Sequence, residues 1–446
     1  MAKPSFSDVI KNSGFRVLWF NQVLMQMPLN TLNFALIIWV FRLTSSNLAV
    51  SALILSIYLP ALFFGLFAGV LVDRVDRRKL IILLDLLFAG AFLIFPEIRR
   101  SYPLILLNTF FINSISQFFT PAEGSSIPLL VKKGELFIAN SLFTFTLYGS
   151  FMIGFSIAGP ILHLFSINPI FYFGAVLLIL AAIISQGLPP LKVKIERSGK
   201  LKEVILLETK ETFAFIHSKL PVSTSIGLLA AVQGVIGVLA VLVPSYMERV
   251  LLVHATDASV FLMLPLGLGM ITGALMIGRF FQNVPRRLIV IPAVIIAGIL
   301  FIGSGIAPGV AAALDATELP QRIRHLRYFF NAPSLASTFA IGAYLLGLCT
   351  VAIIIPSQTT LQEETSEQNR GKILAVLAVF MNVFAAIPVI LAGALSDLFG
   401  VTPILITMGG LISAIGLLAL SPNLIFKENH LPFRIREFLG LGHWNK

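Results

Sequence analysis

The chain has 446 residues, of which 57% are hydrophobic and only 12% are Asp, Glu, Lys or Arg; its formal net charge is +11 and its mean hydropathy is +0.93. So apolar a composition excludes an ordinary soluble globular protein. The single cysteine, Cys349, excludes an intrachain disulfide or a cysteine-based metal framework.

Stretches free of Asp, Glu, Lys and Arg run over 17–41, 43–72, 101–122, 136–191, 220–247, 258–278, 288–314, 328–362, 373–396 and 398–426, with one more, 80–96, interrupted by Asp85. A bilayer crossing needs about 20 residues, so 136–191 is long enough for two. The turn signal Ser166-Ile167-Asn168-Pro169 divides it. The count is then twelve transmembrane helices, an all-α membrane protein, because only helices and closed barrels satisfy every backbone polar group in lipid. The first run has no small-residue cleavage site and reads as an anchored helix, not a signal peptide.

Of the 32 Lys and Arg residues, 25 fall in alternate connections starting with the N-terminal segment. The positive-inside rule places both termini in the cytoplasm of a plasma (inner) membrane protein. The basic balance therefore reflects orientation and contact with the anionic face of the lipid bilayer, with no nucleic acid needed to explain it. Domain limits follow: a six-helix N-terminal bundle at 1–188, a basic cytoplasmic linker at 189–221, a six-helix C-terminal bundle at 222–426 and a cytoplasmic tail at 427–446. Within the linker, Leu201, Ile205, Phe213 and Ile216 among Lys and Glu read as an amphipathic helix on the membrane face, or else as a solvated charged segment. A weak internal repeat links the halves, with Arg78-Lys79-Leu80-Ile81 resembling Arg286-Arg287-Leu288-Ile289. The long basic loop at 308–334, with Arg322, Arg324, His325 and Arg327, supplies extra length in the second half.

The densest charge lies between the second and third runs. In Gly69-Val70-Leu71-Val72-Asp73-Arg74-Val75-Asp76-Arg77-Arg78-Lys79, six of eleven residues are charged. Further elements follow in order: Phe15-Arg16-Val17-Leu18-Trp19, Leu59-Pro60, Thr120-Pro121-Ala122, Ile127-Pro128-Leu129-Leu130-Val131, Pro356-Ser357-Gln358-Thr359, Arg370-Gly371-Lys372 and Gly393-Ala394-Leu395-Ser396-Asp397. Together these resemble the major facilitator superfamily, in the branch that includes macrolide-efflux and enterobactin-exporter-like proteins. The resemblance covers residues 12–426. It implies the major facilitator fold of two six-helix bundles, alternating access around a midplane cavity, and a gating motif of Gly69, Asp73, Arg74, Arg77 and Arg78. Possible latch partners for the arginines are Glu123, Glu135, Glu363 and Glu364. Two departures stand out. Asp76 occupies the usual position of a glycine, and the helix 5 glycine series ending at Gly159-Pro160 has Thr146 and Phe155 where glycines are expected.

Gln22, Gln26, Asn30 and Asn33 recur at helical spacing on one face of the first helix. Amides cannot face lipid cheaply, so this stripe lines a substrate cavity or bonds helices together. Asn113, Gln117, Gln233 and Asn382 are further cavity candidates. Asp85 is the only acid that clearly interrupts a span and is the candidate for proton coupling, with an ion pair near the membrane face as the alternative. Phe-rich surroundings suit an amphipathic small-molecule substrate. No Walker A, His-Glu-x-x-His or Gly-x-Ser-x-Gly pattern appears, so neither an enzyme nor a cofactor is expected. The reading is a monomeric secondary active exporter driven by protons. The alternatives are a lipid, lysolipid or solute-uptake transporter of the same fold, or a transport-inactive membrane sensor.

Overall fold

The computed structural model describes residues 6–72, 74–192, 219–281, 284–316, 332–364 and 367–420. After a short helix, Phe6–Lys11, these contain twelve long helices: α1 Ser13–Thr44, α2 Asn47–Val72, α3 Arg77–Ile98, α4 Tyr102–Leu130, α5 Leu136–Phe165, α6 Asn168–Ser185, α7 Leu220–Arg249, α8 Leu264–Phe280, α9 Arg286–Ala316, α10 Ala332–Glu364, α11 Glu367–Phe399 and α12 Val401–Leu420. The fold is therefore the expected all-α one, and no strand occurs among the described residues. The expected amphipathic helix at 200–217, the arginines of the 308–334 loop and the tail from 427 lie outside the described residues.

Local chemistry sets the helix ends. The Asn12 side chain accepts from Phe15 N–H at 3.1 Å and starts α1, satisfying one of the orphan donors of a first turn. Ser45 stops α1 in the left-handed region at φ 52, and its N–H returns to Phe41 O. Ser166, at φ 69, breaks the long 136–191 run at its turn signal. Gly400, at φ 85, separates α11 from α12 in a conformation that glycine adopts without a Cβ penalty. Eleven of the twelve helices contain a stretch long and apolar enough to cross a membrane. α4 falls short despite its 29 residues, because Asn108, Asn113, Ser114, Gln117 and Thr120 dilute its hydropathy.

The chain divides into two compact units, Met1–Ser45 with Ala52–Thr209, and Ser46–Ser51 with Lys210–Lys446. In the first, α1 packs on α5 and α6, and α3 packs on α6 and α4. Its centre is aromatic: Phe15, Phe88, Phe92, Phe95, Phe119 and Phe171 are fully buried, and Phe95 stacks on Phe171 with ring centroids 5.1 Å apart. In the second unit, the principal pairings are α9 with α12, α8 with α10 and α7 with α11. Small residues bring α9 and α12 into backbone contact. A Cβ on Gly298 would lie 2.7 Å from Gly409 O, and one on Gly409 would lie 2.6 Å from Gly298 O. Between helices immersed in lipid such close packing replaces the hydrophobic driving force available in water.

Candidate functional site

Asp73 lies outside the described residues, and the structure describes the rest of the charged loop from Arg74 to Lys79. Gly69 lies near the end of α2 with open space where a Cβ would point. Arg74 is exposed, whereas Arg77 is buried. Asp76, the residue that replaces the usual glycine, caps α3: its carboxylate accepts from Arg78 N–H at 3.1 Å. An acid at this position satisfies first-turn donors and complements the helix dipole. The same Oδ1 accepts from Leu191 N–H at 3.4 Å, tying the loop to the start of the linker. Arg78 reaches the far end of α6, with Nη2 donating to Gln186 O at 2.5 Å.

Arg287 does in the second unit what Arg78 does in the first, donating through Nη2 to Ala419 O in the last turn of α12 at 2.7 Å. α3 and α9 likewise both begin with an arginine, Arg77 and Arg286. By these contacts Arg78 resembles Arg287, one residue along from its sequence match Arg286. Arg286 itself forks onto Glu363, at 2.7 and 2.6 Å, and reaches Thr360 Oγ1 at 2.7 Å. Lys219 pairs with Glu364 at 3.1 Å. Glu135 accepts from Lys132 N–H at 3.0 Å and completes a capping turn ahead of α5. Of the four candidate latch acids, Glu123 has no such engagement. It is buried within α4, and its Oε1 finds no hydrogen-bond donor among the described residues.

The main polar feature of the first unit centres on Asp85, fully buried in α3. Its Oδ2 accepts from Asn21 Nδ2 of α1 at 2.7 Å. The same amide nitrogen donates to Ser185 Oγ of α6 at 2.8 Å and approaches Ala181 O at 3.4 Å. Asp85 Oδ1 and Asn21 Oδ1 remain without partners among the described residues. Three helices are therefore joined by one buried amide and one buried acid. Asp85 is bonded to a neutral amide here, and among the described residues no basic side chain forms an ion pair with it.

The candidate cavity amides divide by environment. Gln22 is buried and donates to Phe143 O of α5 at 3.3 Å, an interhelical bond. Gln26, Asn30 and Asn33 are partly exposed. Asn30 Nδ2 returns to Gln26 O at 2.8 Å, while Asn33 Oδ1 has no partner among the described residues. On α4, Asn113 is buried and donates to Thr109 O at 2.9 Å, and Gln117 lies within 3.4 Å of Asn113 O. Gln233 and Asn382 are partly exposed on α7 and α11 in the other unit.

The missing glycines of α5 have a physical reason on α1. Thr146 Oγ1 accepts from Trp19 Nε1 at 2.7 Å, and Phe155 packs on Phe34 with ring centroids 5.1 Å apart. Gly154, which is retained, sits where a Cβ would meet Met27 O at 3.1 Å and Asn30 Cβ at 2.9 Å. Gly159-Pro160 lies within α5.

Twelve long helices, two units and buried acids and amides within the spans give this chain the architecture of a multi-pass membrane transporter. Residues 18–316 match the sequence profile of the Major Facilitator Superfamily, and the chain belongs to that family. Macrolide efflux protein A of Streptococcus pyogenes is 25% identical over 420 residues, covering 90% of this chain and 94% of that protein. An uncharacterized MFS-type transporter, YfiS of Bacillus subtilis, is 24% identical over 389 residues, 85% of this chain and 86% of the relative. Among solved structures, a POT family transporter in complex with 5-aminolevulinic acid superposes with a TM-score of 0.68 at 12% identity, over 93% of this chain and 97% of that one. The nucleoside transporter NupG gives a TM-score of 0.65 at 12% identity, over 93% and 99%. At such identities the structural likeness establishes the fold alone.

Proposed function

We propose that this chain is a proton-coupled exporter of an amphipathic small molecule, working by alternating access as a monomer in the plasma membrane with both termini cytoplasmic. The observation that carries the reading is the end-to-end similarity to macrolide efflux protein A, 90% of one chain against 94% of the other. Three features support it. The surplus of Lys and Arg in alternate connections favours cytoplasmic termini. Asp85 is a fully buried acid bonded to uncharged partners, the kind of group that marks ion pathways in membrane proteins. The partly exposed amides Gln26, Asn30 and Asn33 of α1 offer hydrogen bonds to a polar part of the substrate, and Gln22, Asn113, Gln117, Gln233 and Asn382 are further candidates for the cavity wall.

In this reading Asp73 and the arginines of the 74–78 loop latch the cytoplasmic side, and Asp73 outweighs any residue of the acid-free 279–287 loop. Accumulation of fluorescent amphipathic compounds in a bacterium stripped of its own exporters tests the reading. The chain is expected to lower accumulation, and a protonophore, Asp73→Asn or Asp85→Asn to restore it. Unchanged accumulation across the panel, with the protein correctly inserted, would favour lipid transport or uptake.

A further inference from the structure

The basic residues that break the positive-inside trend have no part in the proposed function. Seven of the 32 Lys and Arg residues fall outside the alternate connections that carry the other 25, and all seven are arginine. The two residue types differ chemically. A planar guanidinium forks onto phosphate oxygens, whereas an ammonium is a more strongly hydrated point charge. Three of the seven, Arg42, Arg99 and Arg100, belong to the first unit, and its fold gathers them at the end of α3 opposite the 74–78 loop.

Trp39 fixes their placement. Its Nε1, on α1, donates to Arg99 O, just past the end of α3, at 2.8 Å. Arg42 follows Trp39 by three residues, on the same face of α1, so it stands one turn further along, beside the Arg99-Arg100 turn. α3 has 22 residues and is about 33 Å long, so its end falls at the polar boundary of a hydrocarbon layer about 30 Å thick. Arg42 and Arg100 are exposed and Arg99 is half-buried. Arg99 Nη1 returns to Pro96 O at 2.8 Å, which holds this guanidinium against the last turn of α3. Glu97, exposed one turn away, makes no ion pair with any of the three among the described residues. Trp39 and Tyr102, both half-buried, are aromatics of the kind that settle at the headgroup level. Three arginines and one acid leave this corner with surplus positive charge. The anions held in quantity at this depth of a membrane are lipid phosphates.

We propose that Arg42, Arg99 and Arg100 form a binding site for the phosphate of an anionic phospholipid of the phosphatidylglycerol class, in the leaflet away from the 74–78 loop. Trp39 reports on it directly. With Trp19 and Trp444 replaced by Phe it is the sole tryptophan, and lipids with brominated chains quench it on contact. The purified full chain is placed in mixed bilayers of phosphatidylglycerol and phosphatidylcholine, with the bromine on one lipid or the other. A basic side chain near the membrane surface favours an anionic lipid by about fivefold, so after screening by salt a preference for phosphatidylglycerol of at least about tenfold is expected at Trp39. Arg42→Gln/Arg99→Gln/Arg100→Gln is expected to bring the ratio to about one, with quenching by brominated phosphatidylcholine retained as proof that lipid still reaches the ring. The matching triple Lys variant keeps the charge and is expected to keep less than half of the preference; full preference there would overturn recognition by the guanidinium fork. Equal quenching by the two lipids in the parent, or an unchanged preference in the triple Gln variant, would overturn the site. Soluble glycerol phosphate in excess is expected to leave the preference intact, and its loss would overturn the lipid as occupant in favour of a free phosphate. No transport is measured, so the site and the export reading stand or fall separately.

Discussion

Replacing Asn21 with Leu isolates the energetics of the buried polar cluster. Leu keeps the amide's branched shape and heavy-atom count and removes the donor that serves Asp85 Oδ2 at 2.7 Å and Ser185 Oγ at 2.8 Å. An interhelical hydrogen bond within a membrane bundle is worth only about 0.6–2 kcal/mol. The larger loss is the acid left behind: Asp85 is fully buried and its other oxygen already has no partner among the described residues. Orphaning a buried carboxylate costs about 3 kcal/mol, whereas replacing both partners by apolar groups is nearly neutral. At roughly 2–4 °C per kcal/mol for a unit of this size, Asn21→Leu is expected to lower the melting temperature by about 6–12 °C. The double variant Asn21→Leu/Asp85→Leu is expected to stay within about 4 °C of wild type. Tryptophan fluorescence during thermal unfolding in detergent reads this directly, since Trp19 and Trp39 lie on the same helix as Asn21. A double variant that melts as low as the single one, or lower, would refute the coupling.

Gly409→Val should separate α9 from α12, because a Cβ at Gly409 lies 2.6 Å from Gly298 O; overpacking of this kind costs about 1–3 kcal/mol. Cys349, buried and the sole thiol, should then react with a maleimide dye several degrees below its wild-type temperature. Arg286→Ala removes a pair whose Glu363 side chain is 59% exposed, so the melting point should move by less than the equivalent of about 1 kcal/mol. Arg279→Ala should leave transport largely intact where Asp73→Asn abolishes it, at equal membrane levels; comparable losses would sink the asymmetric latch.

Much of the fold was legible because lipid leaves the backbone few choices. Charge-free runs located all twelve helices, including α4, whose polar side chains keep it below an ordinary hydropathy threshold. The Ser166–Pro169 turn divided the long fifth run at the point where α5 ends at Phe165 and α6 starts at Asn168. Pairwise partners were less visible. Asn21 falls outside the helical spacing of Gln22, Gln26, Asn30 and Asn33, and its importance depends on Asp85, 64 residues away, and on Ser185. No local pattern encodes such a meeting, although an isolated amide within an apolar span signals that some partner must exist. Asp76 looked like a departure from the family motif until its capping of α3 appeared. The sequence repeat matches Arg78 and Lys79 with Arg286 and Arg287 in charge, whereas Arg78 and Arg287 are the pair that make similar hydrogen bonds to the ends of α6 and α12.

The most direct test of the account is efflux of a fluorescent amphipathic compound from exporter-deficient cells, with wild type and Asp85→Asn at matched membrane levels. Proton-coupled export predicts protonophore-sensitive efflux by wild type and its loss in Asp85→Asn. Efflux that persists in Asp85→Asn and ignores the protonophore would contradict the assignment of Asp85 as the coupling group and of protons as the driving ion.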